Sequence, residues 1–147
     1  PVVTALMEGM PLLSGLEFLW PVHPAVSGVV FSKKPQNLVF VTPMLYPEFA
    51  SVVANAKGVL TDSGGLVEEC TTLGVPCAVL RRVTDRPEAE QCGVAQRFAP
   101  TSQGVSEALM WLATTPRPKP CTVYGTVLAG DHIAEHLMTI VPGRAVA

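Results

Sequence analysis

The sequence predicts an α/β fold, a parallel sheet with helices on both of its faces. Apolar runs of about four residues alternate along the chain with longer segments of helical periodicity, which indicates successive β-α units. The apolar runs are continuous, as in LVFV and CAVL, and this is typical of parallel strands that are buried on both faces. Right-handed crossovers then distribute the helices over the two faces of the sheet.

In the first half of the chain, prolines and changes of periodicity separate the elements. Spaced apolar positions without strand alternation predict helices, whereas compact apolar runs predict strands. Pro21 and Pro24 end the first run and Pro43 follows the second, since proline disrupts both helices and central strands. The predicted elements are a helix at 2–13, strands at 16–20 and 38–41, a helix at 49–56 and a strand at 58–60.

The second half repeats the alternation and then reaches a proline-rich connection, TPRPKPC at 115–121, which ends the main sheet. We expect residues 1–147 to form a single domain, in which 115–147 supply this connection and a closing helix. The predicted elements are helices at 66–73, 105–114 and 131–140, strands at 77–80 and 94–98, and one helical turn at 88–92.

The composition narrows the class of protein. The chain has 147 residues, of which 48% are hydrophobic, and this suffices for the core of one domain. Its formal net charge of −2 provides no basic field, so neither nucleic acid nor a membrane surface is an expected partner. No apolar run approaches the roughly 18 to 20 residues of a membrane-spanning helix. Residues 1–20 contain Glu8 and Glu17 and no basic start, which does not fit a signal peptide.

The four cysteines predict neither a metal site nor a disulfide scaffold. Cys70, Cys77, Cys92 and Cys121 form no CxxC pair. Their even number permits disulfides, but we expect reduced thiols and a cytoplasmic location. No cluster of His, Cys and Asp has the spacing of metal ligands, so no metal or other cofactor is expected.

The segment TDSGGLVEE at 61–69 joins a predicted strand to a predicted helix and has two interpretations. As a structural turn, Ser63 or Asp62 caps the helix, while Gly64 and Gly65 permit a tight turn. As a binding turn, the same glycines let a phosphate approach the first helical amides, which have no partner within the helix. No lysine follows the glycines, so a Walker P-loop is excluded. The local pattern leaves both interpretations open.

The helical positions of the two glutamates that follow this turn predict different directions for their side chains. Leu66, Cys70 and Leu73 have the spacing i, i+4, i+7 and predict the buried stripe of the helix. Glu69 then falls about 60° from Leu66, one turn below the glycines, where it can accept hydrogen bonds from sugar hydroxyls. Glu68 points away from the stripe, towards solvent or a structural partner.

The segment RRVTDRPE at 81–88 follows a predicted strand and concentrates positive charge, because Arg81, Arg82 and Arg86 fall within six positions. An arginine held by this loop could clamp a phosphate or the charge that develops on a leaving group. The alternative is a surface loop whose arginines pair with Asp85. A diphosphate needs both backbone donors and a cation, so the glycine turn and the arginine loop support each other.

Together these segments resemble the UDP-N-acetylglucosamine 2-epimerase family. The resemblance rests on TDSGGLVEE, on LGVPCAVLRRVTDRPE at the matching distance, and on the Gly93 that follows. It extends back through TPMLYPEF and PVHP, and forward through Tyr124-Gly125 to Ile133 and Leu137 on the last predicted helix. It therefore covers nearly the whole chain.

The resemblance implies a Rossmann-like domain, the C-terminal half of a glycosyltransferase-B arrangement whose active site lies between two halves. The residues that it implies in UDP binding are Ser63, Gly64, Gly65, Glu69, Arg86, Phe49 and Met44. The first three would hold the diphosphate, and Glu69 would bind the ribose hydroxyls. Arg86 would lie by the phosphates near the sugar, which makes it the candidate for a catalytic role. Phe49 and Met44 belong to the segment after the second predicted strand, here called the uracil loop, which would contact the uracil base.

Three segments depart from the family pattern. Met44 stands where many relatives have Gln, so contacts to the base would rest on backbone groups. The family's HPN-like motif reads His23-Pro24-Ala25, and the preferred interpretation of its histidine is a loop residue bonded to the backbone. After Tyr124-Gly125, Thr126-Val127 replace the usual Asp-Gly, which would weaken the diphosphate side of the cleft.

The activity that the resemblance implies is interconversion of UDP-GlcNAc and UDP-ManNAc, by elimination of UDP and its re-addition to the other face of the sugar. The family's acid/base carboxylates lie in its N-terminal half, so this chain is expected to bind UDP but to be inactive alone. It would be a fragment or would need a partner half, and a homodimer also stays open. The alternatives are the UDP-sugar-binding subunit of a two-chain glycosyltransferase, which transfers sugar to an acceptor, and a non-catalytic UDP-sugar-binding module.

Overall fold

The computed structural model describes residues 2–22, 34–125 and 128–140. Its helices are α1 (Val2–Gly9), α2 (Tyr46–Asn55), α3 (Gly64–Leu73), α4 (Pro87–Gln91), α5 (Ser102–Thr114) and α6 (Ala129–Ile140). Its strands are β1 (Phe18–Pro21), β2 (Leu38–Val41), β3 (Val59–Thr61), β4 (Cys77–Leu80) and β5 (Ala95–Phe98). A short 3-10 helix, Met10–Leu12, continues α1.

All the strands of the described residues pair in parallel. β1 pairs with β2, while β3, β4 and β5 form a second sheet with β4 in the middle. Val59 is in register with Cys77, and Cys77 with Ala95. The carboxyl ends of these three strands therefore lie together at one edge of the sheet.

The side chains of β4 show that helices cover both faces of the second sheet. Cys77 and Val79 pack in a cluster with residues of three helices, α2, α3 and α4. The intervening Ala78 packs in another cluster with Ala108 and Leu112 of α5. Because successive strand residues point to opposite faces, α5 lies on the face opposite the other three helices. The predicted α/β architecture is confirmed.

Several helices begin earlier than predicted, because their first turns lie outside the apolar pattern. α2 starts at Tyr46 and α3 starts at Gly64. α5 starts at Ser102, after Thr101, whose hydroxyl accepts a hydrogen bond from the amide of Gly104 at 3.1 Å. The spacing of apolar residues reveals only the part of a helix that faces the core. A first turn made of polar residues or glycine is therefore not predicted as helix.

A disulfide departs from the expected thiol chemistry. Cys92, just after α4, is bonded to Cys121 in the proline-rich connection, and their Cα atoms are 6.4 Å apart. The expectation of reduced thiols is wrong at these two positions, because the fold brings together cysteines that are 29 residues apart in sequence. Cys70 and Cys77 are free and buried.

The proline-rich connection is anchored to α2 and α3. The Arg117 guanidinium donates hydrogen bonds to the carbonyls of Ala54 at 2.8 Å and Leu73 at 3.3 Å. The amide of Cys121 donates to the carbonyl of Thr71 at 3.0 Å. α6 follows, and it has no buried residue. Within 2–22, 34–125 and 128–140, no helix is long and apolar enough to cross a membrane.

Candidate functional site

Two loops leave the carboxyl edge of the second sheet side by side. β3 ends at Thr61 and leads into the glycine turn before α3, while β4 ends at Leu80 and leads into the arginine loop before α4. β3 and β4 are neighbours in the sheet. In open parallel sheets, this edge is where ligands bind.

The N-terminus of α3 offers amides that no side chain of the described residues caps. Ser63 is the N-cap residue, but its hydroxyl makes no capping hydrogen bond. The amide of Val67 is the first to bond within the helix, donating to the Ser63 carbonyl at 3.2 Å. The amides of Gly64, Gly65 and Leu66 precede it and have no carbonyl partner in the helix. The capping interpretation therefore lacks its side-chain bond, and the amides remain available to an anion.

The buried face of α3 is centred one residue later than the sequence predicted. Val67, Cys70 and Thr71 are buried, whereas Leu66 and Leu73 are only partly buried against the same cluster. An apolar pattern misses Thr71, whose hydroxyl donates to the Val67 carbonyl at 2.7 Å and so tolerates burial. The difference in phase turns the first glutamate of the helix towards the arginine loop.

Carboxylates hold Arg86 on two sides. Its Nε donates to Oε1 of Glu68 on α3. Its Nη1 lies 3.0 Å from Oδ2 of Asp85 and also donates to the Asp85 carbonyl at 3.0 Å. The bond to Glu68 is the largest cause that raises the pKa of Arg86 above its ordinary value. The sequence predicted that Glu68 faces either solvent or a structural partner. The structure shows that Arg86 is this partner.

Asp85 lies between the arginine loop and the glycine turn. Its Oδ1 accepts a hydrogen bond from Nη1 of Arg81 at 3.1 Å. Its two carboxylate oxygens lie 3.7 and 3.8 Å from the position that a Cβ would take on Gly64. The N-terminus of a helix favours negative charge. A carboxylate of the chain itself therefore lies beside the first residue of α3.

Glu69 lies on α3 one turn after the glycines and is partly buried. Because the buried face is centred on Val67, Cys70 and Thr71, Glu69 lies nearly opposite that face, and the predicted position on its flank is wrong. It forms no ion pair with the residues that the structure describes. Its carboxylate therefore remains available to accept hydrogen bonds, in contrast to that of Glu68.

The two residues of the predicted uracil loop follow β2. Met44 is partly buried in the loop before α2. Phe49, on α2, packs against the cluster that contains Val53 and Val67. Phe49 is thus in part a core residue, and its contact with a base stays a prediction.

Tyr124 lies against this same cluster, although the sequence singled it out only as part of a motif. Its hydroxyl is buried and makes no hydrogen bond to the residues that the structure describes. Burial is the largest cause that raises the pKa of Tyr124, followed by the negative charge of Glu88. Glu68 adds to this rise. The charge of Arg86 lowers the pKa, and so does the nearby backbone of Ala89, which lies close to the hydroxyl without meeting the geometry of a hydrogen bond.

The segments His23-Pro24-Ala25 and Thr126-Val127 lie outside the described residues. In the part of the chain that is described, no group of three or more His, Cys, Asp and Glu side chains is placed to hold a metal ion.

Comparison with known proteins identifies a family that matches most of the chain. The family model described as UDP-N-acetylglucosamine 2-epimerase matches residues 2–138. The chain belongs to this family. The resemblance that the motifs indicated is confirmed.

Curated members of the UDP-N-acetylglucosamine 2-epimerase family are much longer than this chain. The Yersinia pestis enzyme is 34% identical over 117 residues, which cover 77% of this chain and 31% of the relative. The Campylobacter jejuni enzyme is 33% identical over 94 residues, which cover 61% of this chain and 24% of the relative. The matched region therefore spans between 24% and 31% of these two relatives.

Solved structures of the family share the fold. The UDP-GlcNAc 2-epimerase from Neisseria meningitidis, bound to UDP-GlcNAc, has a TM-score of 0.81 at 25% identity, over 94% of this chain and 40% of that one. The S. aureus MnaA–UDP co-structure has a TM-score of 0.82 at 22% identity, over 98% of this chain and 42% of that one. These neighbours have the glycosyltransferase-B arrangement, so the fold class predicted for the chain is confirmed.

Proposed function

We propose that this chain is the UDP-binding C-terminal half of a UDP-GlcNAc 2-epimerase, an isomerase that interconverts UDP-GlcNAc and UDP-ManNAc by eliminating UDP and adding it back. The observation that carries the proposal is the uncapped N-terminus of α3 beside the held guanidinium of Arg86. Backbone amides and an oriented cation together suit a diphosphate. The names of the relatives, and the UDP-GlcNAc bound to the Neisseria meningitidis protein, support the same ligand.

In this proposal, the diphosphate binds across the two loops. The amides of Gly64 and Gly65 and the hydroxyl of Ser63 hold its oxygens from one side. Arg86 approaches from the other side and stabilises the negative charge that grows on UDP as the bond to the sugar breaks. This is the sense in which Arg86 is a candidate catalytic residue.

The nucleoside is proposed to extend away from the glycine turn. The carboxylate of Glu69, which forms no ion pair in the described part of the chain, accepts hydrogen bonds from the ribose hydroxyls. The uracil lies by the loop that contains Met44, with Phe49 beside it. Because Met44 has no strong donor or acceptor, backbone groups of this loop read the base.

The chemistry at C2 of the sugar is proposed to belong to another part of the protein. Removing a proton there requires acid/base groups close to that carbon, and the family resemblance assigns these carboxylates to an N-terminal half. Residues 1–147 would form one UDP-sugar-binding domain that needs this half, and a homodimer is compatible with the proposal. The chain by itself is then expected to bind UDP and to catalyse nothing.

A cytoplasmic location is also part of the proposal. The free, buried thiols of Cys70 and Cys77 are compatible with it. The disulfide between Cys92 and Cys121 weighs against it, because such bonds persist mainly in oxidising compartments. Thiol labelling of protein taken from cells under acid quench would decide the question, and a fully oxidised pair would contradict a cytoplasmic location.

Calorimetry with UDP tests the binding site. We expect the 147-residue chain to bind UDP, and Arg86→Ala and Glu69→Ala each to weaken binding by about tenfold, since each removes a charge-assisted contact. Arg97→Ala is the matched control, because it removes the same charge from an arginine whose carboxylate partner is Glu90 of α4. Unchanged affinity in both site variants would refute the residue assignment.

An epimerase assay tests whether this chain only binds UDP while another part of the protein supplies the acid/base groups. The isolated chain should not interconvert UDP-GlcNAc and UDP-ManNAc, and activity should appear when a family N-terminal half is supplied. Epimerisation by the pure chain alone would contradict the half-site proposal.

A further inference from the structure

Arg86 has two carboxylate partners that differ in how firmly they are held. Glu68 belongs to α3, whose buried residues fix the helix in the core, and its side chain is 38% exposed. Asp85 belongs to the loop between β4 and α4, and its side chain is 61% exposed. Ion pairs of exposed side chains are weak, so the contact with Asp85 is the easier one to exchange.

The observed contacts leave one edge of the Arg86 guanidinium for a ligand. Its Nε is engaged by Glu68, and its Nη1 is engaged by the carboxylate and the carbonyl of Asp85. Its Nη2 donates no hydrogen bond among the described residues. A guanidinium is planar and its donors have fixed directions. The bond from Nε to Glu68 therefore sets where the remaining donors point.

Asp85 lies beside the first residue of α3, close to the path by which an anion would approach the helix. Its carboxylate is within 4 Å of a Cβ built on Gly64, next to the uncapped amides of α3, and it also engages Arg81 and Arg86. These are the groups that a phosphate would use. A phosphate and this carboxylate would repel each other at such a distance.

We propose that Glu68 is the positioning residue of Arg86, and that Asp85 is an exchangeable competitor that the diphosphate displaces. Glu68 keeps its bond to the Nε of Arg86 with and without ligand. The ion pairs of Asp85 with Arg81 and Arg86 are replaced by phosphate oxygens when UDP binds. This inference rests on the proposed function, because it takes the N-terminus of α3 as the diphosphate site.

Two possible roles of Glu68, as a negative charge only or as the residue that positions Arg86, predict opposite effects of Glu68→Gln on UDP affinity. Removing a negative charge beside an anion site should tighten binding if charge is all that Glu68 contributes. If Glu68 positions Arg86, the same change should weaken binding by about fivefold, because the neutral amide oxygen of glutamine holds the guanidinium less firmly than a carboxylate does and more ordering must accompany binding. Glu90→Gln is the matched control, since it removes the same charge from the pair with Arg97, and we expect it to leave the affinity within about twofold.

Asp85→Asn should act in the other direction. Asparagine keeps the size of the side chain but removes the negative charge that competes with phosphate at Gly64. We expect this variant to bind UDP about threefold more tightly than the wild-type chain, and more tightly than Glu90→Gln. Equal or weaker binding would show that Asp85 does not compete.

The Nε–H signal of Arg86 in NMR spectra of the ligand-free chain gives a readout that does not depend on UDP. It should be protected from exchange in the wild-type chain and in Asp85→Asn, and should lose protection in Glu68→Gln. A Glu68→Gln variant that keeps this protection, or that binds UDP as tightly as Glu90→Gln does, overturns the positioning role. Thermal unfolding of each variant shows whether it folds. If Glu68→Gln does not fold, Glu68→Asp is used in its place, because aspartate keeps the negative charge on a shorter side chain. Failure of the folded wild-type chain to bind UDP would refute the proposed function itself.

Discussion

At the scale of single residues, Tyr124 combines burial with an unpartnered polar group. Its ring packs against the cluster shared by α2, α3 and α4, and its hydroxyl makes no hydrogen bond among the described residues. A buried hydroxyl without a partner costs stability. Burial and the charge of Glu88 also raise the pKa of Tyr124, so ionising it in the folded chain is harder than in the unfolded chain.

We predict that Tyr124→Phe leaves the free energy of unfolding at pH 7 unchanged or raises it by up to about 1 kcal/mol, because it removes the unpartnered hydroxyl. The folded pKa lies above the unfolded value near 10, so the folded chain binds more protons than the unfolded chain as pH rises above about 10. Wild-type stability should therefore fall in that range, and the variant should lose less. Urea unfolding at pH 7 and near pH 11 measures both effects.

The exposed Tyr46 provides the control for this prediction, since it is 65% exposed. Tyr46→Phe removes the hydroxyl of this exposed tyrosine and should leave the free energy of unfolding at pH 7 unchanged. A Tyr124→Phe variant that is clearly less stable at pH 7 would show that the hydroxyl has a partner beyond the described residues.

At the scale of elements, the C-terminus of α3 receives the proline-rich connection. Gly74 ends the helix in the left-handed region, with a φ of +63°. The amide of Val75 donates to the Cys70 carbonyl at 2.9 Å, which closes the helix end. A Cβ on Gly74 would lie 2.7 Å from the carbonyl oxygen of Pro118 and 2.7 Å from the nitrogen of Pro120. The connection can approach α3 this closely only because this residue is glycine.

We predict that Gly74→Ala destabilises the chain by about 2 kcal/mol or more, since it combines a strained backbone with a contact to main-chain atoms that cannot move independently. Gly15→Ala is the control, because nothing lies within 4 Å of a Cβ at that position. Urea unfolding of the two variants gives the comparison. Similar stabilities would mean that the connection does not pack on α3.

The disulfide between Cys92 and Cys121 ties this connection to the end of α4. Closing a loop across a sequence separation of 29 restricts the unfolded chain, and loop-closure entropy predicts a stabilisation of about 3.6 kcal/mol. We predict that the oxidised chain exceeds Cys121→Ser in stability by this amount, and that a thiol reductant removes most of the difference. If the reductant leaves wild-type stability unchanged, the bond is not formed in solution.

At the scale of the whole molecule, two parallel sheets share a layer of helices without pairing with each other. Phe18 of β1 and Leu60 of β3 both pack against a cluster formed by α1 and α5. Yet β1 pairs only with β2, and β3 only with β4, in the part of the chain that is described. The residues of β3 are partly exposed, whereas the first three residues of β4 are buried. A strand with a neighbour on one side only leaves alternate amides without a ladder partner.

We predict that the amide of Leu60 exchanges with deuterium at least about a hundredfold faster than that of Ala78, its partner in register on β4. The amide of Val59 donates on the side of β4, to the Pro76 carbonyl at 2.8 Å, so the amide of Leu60 points to the opposite side. Exchange measured by NMR on the 147-residue chain tests this. Equal protection of the two amides would indicate that another strand pairs with β3.

Much of this molecule could be predicted from its sequence, because the relevant signals are local. Strands β2 and β4 have the predicted bounds, and the apolar runs that mark them need no information from elsewhere in the chain. The glycine turn and the arginine loop follow neighbouring strands, so their approach follows from the fold class alone. Bounds were less accurate where a helix begins with polar residues or glycine, as α3 does at Gly64.

The sequence by itself therefore determined the alternation of strands and helices, the carboxyl edge where a ligand would bind, and the family. The tertiary structure alone decided which charges meet there. Glu68 pairs with Arg86, Asp85 lies against Gly64, and Cys92 bonds Cys121 across 29 positions. Periodicity reports contacts between residues a few positions apart, whereas these pairs form only when separate elements pack, so no local pattern contains them.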